Sequence, residues 1–378
     1  MKIEQVRWTQ ESGWEARTPD QSVAPHLVLT FGGTDALRAG PPLDELRSRY
    51  PNAHLLGCST AGEISGAEVT DGAIVATAVE FEHSMVRGVS LDIADARDSA
   101  GAGRRLAEGL PAEGLVHVFV LSDGLQVNGS DLVAGLTEVL PAHVTITGGL
   151  SGDGGRFAET LVFWGSAPAM GRVAALGLYG ERLRIGFGSL GGWDPFGPER
   201  MITRSCGNVL YALDGQSALD LYKRYLGDSA AGLPATGLLF PLALRTREDQ
   251  TPVVRTILAV DEDAQSMTFA GDMPEGAYAR LMKANFERLI DGAAGAARTS
   301  YEAIGSAPPD LAILISCVGR KMVLRQRTEE EVEGVRDVLG PRTVLTGFYS
   351  YGEISPFTPG ARCELHNQTM TVTTLSER

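Results

Sequence analysis

The chain has 378 residues, of which 43% are hydrophobic and 21% are charged, and its formal net charge is −14. A chain of this length can bury a large core without metals or disulfides, and its acidity disfavours nucleic acid and anionic membrane surfaces as partners. Because MKIEQVRWTQESGWEA lacks an apolar signal core and the four cysteines are scattered, we expect a cytoplasmic protein without membrane insertion.

The first predicted unit of secondary structure spans residues 26–65. Its hydrophobic pattern predicts, in order, a buried strand at 26–31, a short helix at 43–50 and a second strand at 53–56. Two parallel strands need a crossover connection of this kind. The unit ends with the phrase LLGCSTAGEIS at positions 55–65.

A weaker copy of this unit spans residues 117–155. It predicts a strand at 116–121, a helix from Ser130 to about Leu140 and a strand at 144–147. Partial alternation around this copy predicts antiparallel strands at 72–81, 85–91, 160–164, 173–179 and 183–188. Further along the chain we predict a strand at 203–213, a helix at 216–225, a hairpin of 256–261 with 266–271, and a mostly helical segment at 277–297.

The third unit spans residues 311–355 and repeats the plan of the first. It predicts a strand at 311–316, a helix at 329–339 and a strand at 343–345. It ends with LTGFYSYGEIS at positions 345–355, which nearly repeats the earlier phrase. We therefore predict an α/β fold with mixed sheets and pseudo-duplicated strand–helix–strand units.

The strand ends of these units carry a candidate ligand site. In α/β sheets the carboxyl ends of the strands form the usual ligand crevice. Glycines there let backbone N–H groups approach a ligand closely. Charged groups could bind a zwitterion or a carboxylate, and tyrosine rings could form an apolar side of the site. The candidate residues are Gly57, Cys58, Ser59, Glu63, Ser122, Asp123, Gly149, Ser151, Asp153, Ser316, Cys317, Arg320, Gly347, Tyr349, Tyr351, Glu353, His366 and Asn367. The alternative is that the glycines only form tight turns and that Glu63 and Glu353 cap the following segments.

The order and spacing of several short phrases resemble the FIST family of bacterial sensory proteins. These phrases are GCSTAGEIS, LSDG, TGG-x-SGD, SCVGR, TGFYSYGEIS and HNQTMTVTTL. The resemblance covers about residues 26–375. It implies two intimately packed FIST portions, which we place at 26–219 for the FIST N-terminal domain and 220–378 for the FIST C-terminal domain, after an N-terminal extension at 1–25.

The resemblance implies a sensor that binds a small molecule, such as an amino acid or a similar metabolite. No kinase, receptor or cyclase domain is present in the sequence, so we expect signalling through a separate partner, such as a histidine kinase or a cyclic-dinucleotide enzyme. The two similar phrases would then be equivalent loops, with the ligand between or beside them.

Two alternatives remain open at this point. Some members of the family are similar to haem-binding nitric oxide sensors, for which His366 would be the candidate axial ligand. The same histidine could instead tie the last strand to a neighbouring loop, and no cofactor is otherwise expected. An enzyme is the other alternative, with Cys58 or Cys317 as a nucleophile that would need a lowered pKa and a nearby base. No histidine lies in a recognisable catalytic motif.

Overall fold

Three consecutive copies of one strand–helix–strand pattern build the fold. The structure is a computed structural model that describes residues 1–19, 22–246, 252–305, 307–357 and 360–378. The first repeat consists of β1 (Lys2–Thr9), β2 (Gly13–Ala16), β3 (Leu27–Gly32), α1 (Thr34–Arg38), α2 (Pro41–Arg49), β4 (His54–Ser59), β5 (Glu63–Ser65), β6 (Glu68–Thr70) and β7 (Ile74–Glu80). The second repeat consists of β8 (Met85–Asp92), α3 (Ser99–Glu108), β9 (Leu115–Ser122), α4 (Gly129–Val139), β10 (Thr145–Leu150), β11 (Val162–Trp164) and β12 (Arg172–Tyr179).

The third repeat is interrupted by an insertion. It begins with β13 (Leu183–Leu190). The insertion consists of β14 (Asp194–Cys206), β15 (Val209–Leu213), β16 (Gln216–Ser217), α5 (Ala218–Leu226), β17 (Leu242–Arg245), β18 (Val253–Arg255), β19 (Ile257–Asp261), β20 (Ser266–Phe269) and β21 (Tyr278–Lys283). The repeat then continues with α6 (Phe286–Ala303), β22 (Leu311–Cys317), α7 (Val318–Leu324), α8 (Thr328–Leu339), β23 (Val344–Ser350), β24 (Gly352–Pro356), β25 (Cys363–His366) and β26 (Met370–Glu377). Short 3-10 turns lie at Ile93–Asp95, Gly227–Gly232, Ala235–Leu239 and Arg325–Arg327.

Every repeat forms a mixed sheet by the same rule. Its first strand (β3, β9 or β22) pairs in parallel with its second strand (β4, β10 or β23). The first strand also pairs antiparallel with the third strand (β7, β12 or β26). A strand from the start of the repeat (β1, β8 or β13) pairs antiparallel with the third strand. The predicted α/β fold with mixed sheets and repeated units is confirmed.

A short strand of each repeat joins the sheet of another repeat. We call β5, β11 and β24 the exchanged strands. The exchanged strand of the first repeat, β5, pairs antiparallel with β23 of the third repeat. The exchanged strand of the third repeat, β24, pairs antiparallel with β10 of the second repeat. In the second repeat, β11 pairs with β4 of the first. The exchange closes a circle, so each sheet is completed by a neighbouring repeat.

The glycine shared by the two similar phrases is required by close backbone packing. Gly57, Gly148 and Gly347 lie at equivalent places in β4, β10 and β23. A Cβ atom at these glycines would lie 2.2, 1.9 and 1.9 Å, respectively, from a carbonyl oxygen of the neighbouring first strand. Each glycine also pairs with a residue of an exchanged strand. The glycine therefore lets three strands approach one another at each junction between repeats.

The inner faces of the three sheets meet in one apolar core. Matching pairs of first-strand residues point into it, namely Leu29 and Phe31, Phe119 and Leu121, and Ile313 and Ile315. On the outer faces α3 packs against α4, and α6 packs against α8. The insertion has an apolar core of its own. The helices and the insertion thus surround a centre that all three repeats share.

Two segments differ from the secondary structure predicted from their sequence. Within 277–297, β21 is a strand because it pairs with both β14 and β17, and α6 begins only after Asn285. The predicted strand at 203–213 is two strands, because Gly207 turns the chain with φ +55°. The predicted N-terminal extension supplies β1 and β2 to the sheet of the first repeat.

We predict that Gly347→Ala destabilises the protein by about 3 kcal/mol or more, because the new methyl group would overlap the carbonyl oxygen of Leu314. Gly334→Ala is the matched control. Gly334 lies in α8, where a Cβ atom would meet its nearest neighbour at an ordinary 3.7 Å, so this change should stabilise the helix by about 1 kcal/mol. Urea denaturation of both variants measures the difference. Equal effects would contradict the role of Gly347 in packing.

His117 makes the fold sensitive to acid. Its ring is fully buried, with Nδ1 2.6 Å from Thr145 Oγ1 and Nε2 2.9 Å from Thr147 Oγ1. Burial lowers its pKa from 6.5 to about 3. The unfolded chain therefore binds a proton below pH 6.5 that the folded chain does not, so acidification favours unfolding down to about pH 3.

We predict that His117→Asn removes this part of the acid sensitivity. Relative to the variant, the wild type should lose up to about 1.4 kcal/mol of unfolding free energy for each pH unit below the ordinary histidine pKa. Urea denaturation at neutral pH and at about pH 5 measures the change. His143→Asn, at an exposed position, is the control and should leave the pH dependence as it is. Parallel pH profiles for His117→Asn and the wild type would refute the explanation.

Candidate functional site

The turns that lead into the exchanged strands meet at one end of the molecule. The amide of Gly152 donates to the carbonyl of Ser59 at 3.0 Å, and the amide of Ala61 donates to the carbonyl of Tyr349 at 2.8 Å. The amide of Tyr351 donates to the carbonyl of Leu150 at 3.1 Å. Residues from all three predicted units therefore lie together and are joined by backbone hydrogen bonds.

The glutamates of the two similar phrases, Glu63 and Glu353, make equivalent hydrogen bonds in two of the exchanged strands. Glu63 accepts from Thr60 Oγ1 at 2.5 Å, and Glu353 accepts from Ser350 Oγ at 2.7 Å. Each carboxylate also accepts a backbone N–H from just before the third strand of its own repeat. The donor to Glu63 is Ala73, before β7, at 3.0 Å, and the donor to Glu353 is Thr369, before β26, at 3.1 Å. Burial raises the pKa of both glutamates to about 8. Their partners are therefore parts of the protein itself.

In the second repeat Asp123 makes the equivalent contact. Its carboxylate accepts the N–H of Gly171, just before β12, at 2.9 Å. It also accepts the N–H groups of Leu125 and Gln126 at 2.8 and 2.7 Å. The hydroxyl of Ser151 donates to the carbonyl of Ser122 at 2.9 Å. These predicted residues shape the turn between β9 and α4.

Asp153 organises the loop that precedes β11. It accepts the N–H groups of Phe157, Ala158 and Glu159 at 2.9, 2.8 and 2.8 Å. It also accepts the hydroxyl proton of Tyr351. Asp153 and Tyr351, both predicted from the strand ends, are thus brought into direct contact.

Arg320 lies in a buried polar cluster. Its Nε and Nη2 donate to Glu331 Oε2 at 3.0 and 2.7 Å, and its other N–H groups reach backbone carbonyls, including that of Leu289 at 2.7 Å. The predicted residues Ser316 and Tyr349 donate to Glu331 Oε1 at 3.0 and 2.7 Å. No N–H of Arg320 is left for a ligand, so its predicted role in binding gains no support from this geometry. Glu331 is not among the candidate residues predicted from the sequence.

The two candidate nucleophiles are closed off from solvent. Cys58 is 0% exposed and Cys317 is 2% exposed. Burial raises the pKa of both thiols above the usual range, most strongly through loss of hydration. The predicted residue Gly149, in β10, packs closely against β22, because a Cβ atom there would be 2.8 Å from Ile315. Thiols in this state are poor nucleophiles, and the geometry offers no support for the catalytic alternative.

His366 and Asn367 join β25 to β26 inside the protein. His366 Nε2 lies 2.7 Å from the carbonyl oxygen of Ser355, and the ring packs edge-on against Phe357 with centroids 4.0 Å apart. Burial lowers the pKa of His366 to about 4. Asn367 Nδ2 is 3.5 Å from the carbonyl of Tyr351. Both residues are fully buried, and neither lines either of the two cavities described below. This environment does not fit an axial ligand of haem.

Two adjoining cavities lie where the insertion meets the second repeat. The aromatic cavity has a volume of about 230 Å³ and is lined mainly by the turn before α4, by Phe157 and Tyr351, and by β20 with the residues after it. The charged cavity has a volume of about 580 Å³ and is lined by α4, by β17 and β18, and by β25. A hydrogen bond of 3.2 Å from Asn128 Nδ2 to Asp272 Oδ1 lies between them. Tyr351 is the predicted site residue that lines the aromatic cavity.

The charged cavity contains a buried guanidinium. Arg255 is 8% exposed, and it donates to the backbone carbonyls of Leu365 at 3.0 Å and Val254 at 3.3 Å. Within the ranges that the structure describes, it has no carboxylate oxygen within 4.0 Å. Asp272 and Glu364 line the same cavity and attract its charge, although burial is the larger effect and lowers its pKa to about 10. Sequence reasoning missed Arg255, because a lone arginine in a short strand carries no motif.

The chain belongs to the FIST family. Residues 26–216 match the FIST N domain, and residues 218–356 match the FIST C domain. FIST domains are small-ligand sensory domains of signalling proteins, and the resemblance predicted from the sequence phrases is confirmed. In the part of the chain that the structure describes, no helix has the length and apolarity needed to cross a membrane.

Two similar proteins add limited information. An uncharacterised protein of Methanocaldococcus jannaschii is 22% identical over 277 residues, which are 65% of this chain and 52% of that protein. The chain thus spans about half the length of this curated relative. The crystal structure of a cyanuric acid hydrolase from A. caulinodans aligns with 78% of this chain and 99% of its own at 13% identity, but the TM-score is 0.19 and supports no inference.

We predict that Arg320→Met destabilises the protein by about 3–5 kcal/mol, because it leaves the buried Glu331 carboxylate without its cation. Arg104→Met is the control, since Arg104 pairs with Glu138 at the surface and exposed ion pairs contribute about 1 kcal/mol or less. Chemical denaturation of both variants provides the comparison. A loss for Arg320→Met as small as that of the control would show that the buried pair is dispensable.

Proposed function

We propose that this chain is a cytoplasmic sensor that binds an amino acid or a similar small zwitterionic metabolite in the charged cavity. The observation that carries the proposal is the buried Arg255 guanidinium, which lines this cavity without a carboxylate partner among the described residues. A buried charge is costly unless it is paired. A ligand carboxylate would supply the missing partner.

The other charges of the cavity suit the second half of a zwitterion. A planar guanidinium can hold a carboxylate through two parallel hydrogen bonds. Asp272 and Glu364 line the same cavity and provide the opposite charge for an ammonium group. The apolar side chains of Val133, Leu244 and Val253 also line it and would contact the body of the ligand. The cavity volume of about 580 Å³ leaves room for a molecule larger than the smallest amino acids.

Occupancy of this cavity would be relayed to a separate signalling protein, such as a histidine kinase or a cyclic-dinucleotide enzyme. The cavity is bounded by α4 of the second repeat on one side and by β17 and β18 of the insertion on the other. A ligand held by both sides would favour the arrangement in which they are closest. A partner that contacts both the insertion and the second repeat would sense this change. The membership of the chain in a sensory family supports this part of the proposal.

We predict that at least one amino acid from a panel of the standard set binds the purified protein in isothermal titration calorimetry, and that Arg255→Gln weakens this binding by at least about tenfold. Charge-assisted hydrogen bonds to a buried carboxylate are worth enough to produce a change of this size. Arg298→Gln is the matched control, because Arg298 lies exposed on α6, away from the cavity. It should bind as the wild type does.

A second variant separates binding from stability. Arg255 also donates to backbone carbonyls, so its loss could loosen the cavity wall. Asp272→Asn keeps Arg255 in place and removes only one negative charge, and it should weaken an amino acid more than the matching des-amino acid. Failure of the whole panel to bind the wild type, or wild-type affinity in Arg255→Gln, would exclude the charged cavity as the amino-acid site.

A further inference from the structure

The aromatic cavity has a wall of two stacked rings. The rings of Phe157 and Tyr351 are nearly parallel, at 14°, and their centroids are 4.5 Å apart. Tyr351 is 6% exposed, and its hydroxyl is held by Asp153. Phe157 is 39% exposed although it is a large apolar side chain. The stack is thus anchored at its buried end, while much of the outer ring remains open.

The backbone of Phe157 is held in a conformation that aromatic residues rarely adopt. Its φ is +51°, in the left-handed region that disfavours bulky side chains. The Asp153 carboxylate accepts the N–H of Phe157 and of each of the next two residues, which fixes this turn. Strained residues that a surrounding network maintains tend to occur at functional sites. Here the strain places an exposed ring at the edge of a cavity.

The remaining lining of the aromatic cavity combines apolar and amide groups. Leu125 and Leu258, which are 39% and 42% exposed, face the same space as Phe157. Asn208 lines it as well, and its Nδ2 donates to the carbonyl of Phe269 at 2.8 Å, which leaves its Oδ1 as an acceptor. Gln126 also lines the cavity; its exposed side-chain amide lies close to Gly171 and makes no hydrogen bond within the described ranges. Amides of this kind can pair with the donor and acceptor edge of a ring.

We propose that the aromatic cavity is a second ligand site, which binds a small planar heteroaromatic ring stacked on Phe157, with the polar edge of the ring hydrogen-bonded to Gln126 and Asn208. The volume of about 230 Å³ suits one or two fused rings and is too small for a macrocycle. The two cavities are lined by different residues. The Asn128–Asp272 hydrogen bond lies between them, so a ligand in one cavity can influence binding in the other.

The test compares planar rings with their saturated counterparts. The probes are nicotinamide with piperidine-3-carboxamide, indole with octahydroindole, and benzamide with cyclohexanecarboxamide, each measured by saturation-transfer NMR and calorimetry on the full chain. We expect at least one planar probe to bind more tightly than its saturated counterpart by about tenfold, which is typical of stacking on an aromatic side chain. Phe157→Leu should abolish this preference, and Phe157→Tyr should retain it.

The controls separate this site from the amino-acid site. Arg255→Gln lies in the other cavity and should leave the preference for planar probes unchanged, whereas Phe157→Leu should leave an amino-acid site at Arg255 in place. Retention of the planar preference in Phe157→Leu would overturn the proposal. Equal binding of planar and saturated probes, or no binding of any probe to the wild type, would overturn it too, whatever the outcome for amino acids.

Discussion

The circular exchange of short strands is the constraint on which the rest of the structure depends. Each of β4, β10 and β23 hydrogen-bonds an exchanged strand from a different repeat, which completes each of the three repeat sheets. This requires three backbones to approach closely, which glycine permits at Gly57, Gly148 and Gly347. The buried carboxylates then satisfy the amides that the exchange brings inside, because an unpaired buried N–H is costly.

This constraint also decides where a ligand can bind. In many α/β proteins the strand ends leave an open crevice. Here the turns from three repeats hydrogen-bond to one another at that position. The two cavities lie at the boundary between the second repeat and the insertion, and the aromatic cavity also borders the carboxyl ends of β9 and β10 through Gly124 and Leu150. Cavities at such boundaries change shape when the units move, which suits a protein whose function is to report ligand occupancy.

The two cavities differ in chemistry although they adjoin. One is lined by the buried Arg255, by a second arginine and by three acidic residues, and the other is bounded by the Phe157–Tyr351 stack. Asn128 connects them, since its side chain caps α4 through Oδ1 and reaches Asp272 through Nδ2. A ligand that displaces Asp272 would disturb the start of α4 and, through it, the turn that lines the aromatic cavity. The fold therefore provides a physical path between the two proposed ligand sites.

The sequence by itself determined the α/β class, the repeated units and the family, because apolar runs, helix stops and glycine phrases are local features. It indicated Asp153 and Tyr351 only as strand-end candidates, and the tertiary structure brings them into direct contact. Only the tertiary structure decided which partners Glu63, Glu353 and Arg320 have within the protein, because Ala73, Thr369 and Glu331 lie 10, 16 and 11 residues away and are brought close by folding. Sequence reasoning missed Arg255 because a local pattern does not show whether an arginine has a carboxylate partner. The lack of such a partner among the described residues depends on packing between the insertion and the second repeat, which only the tertiary structure shows.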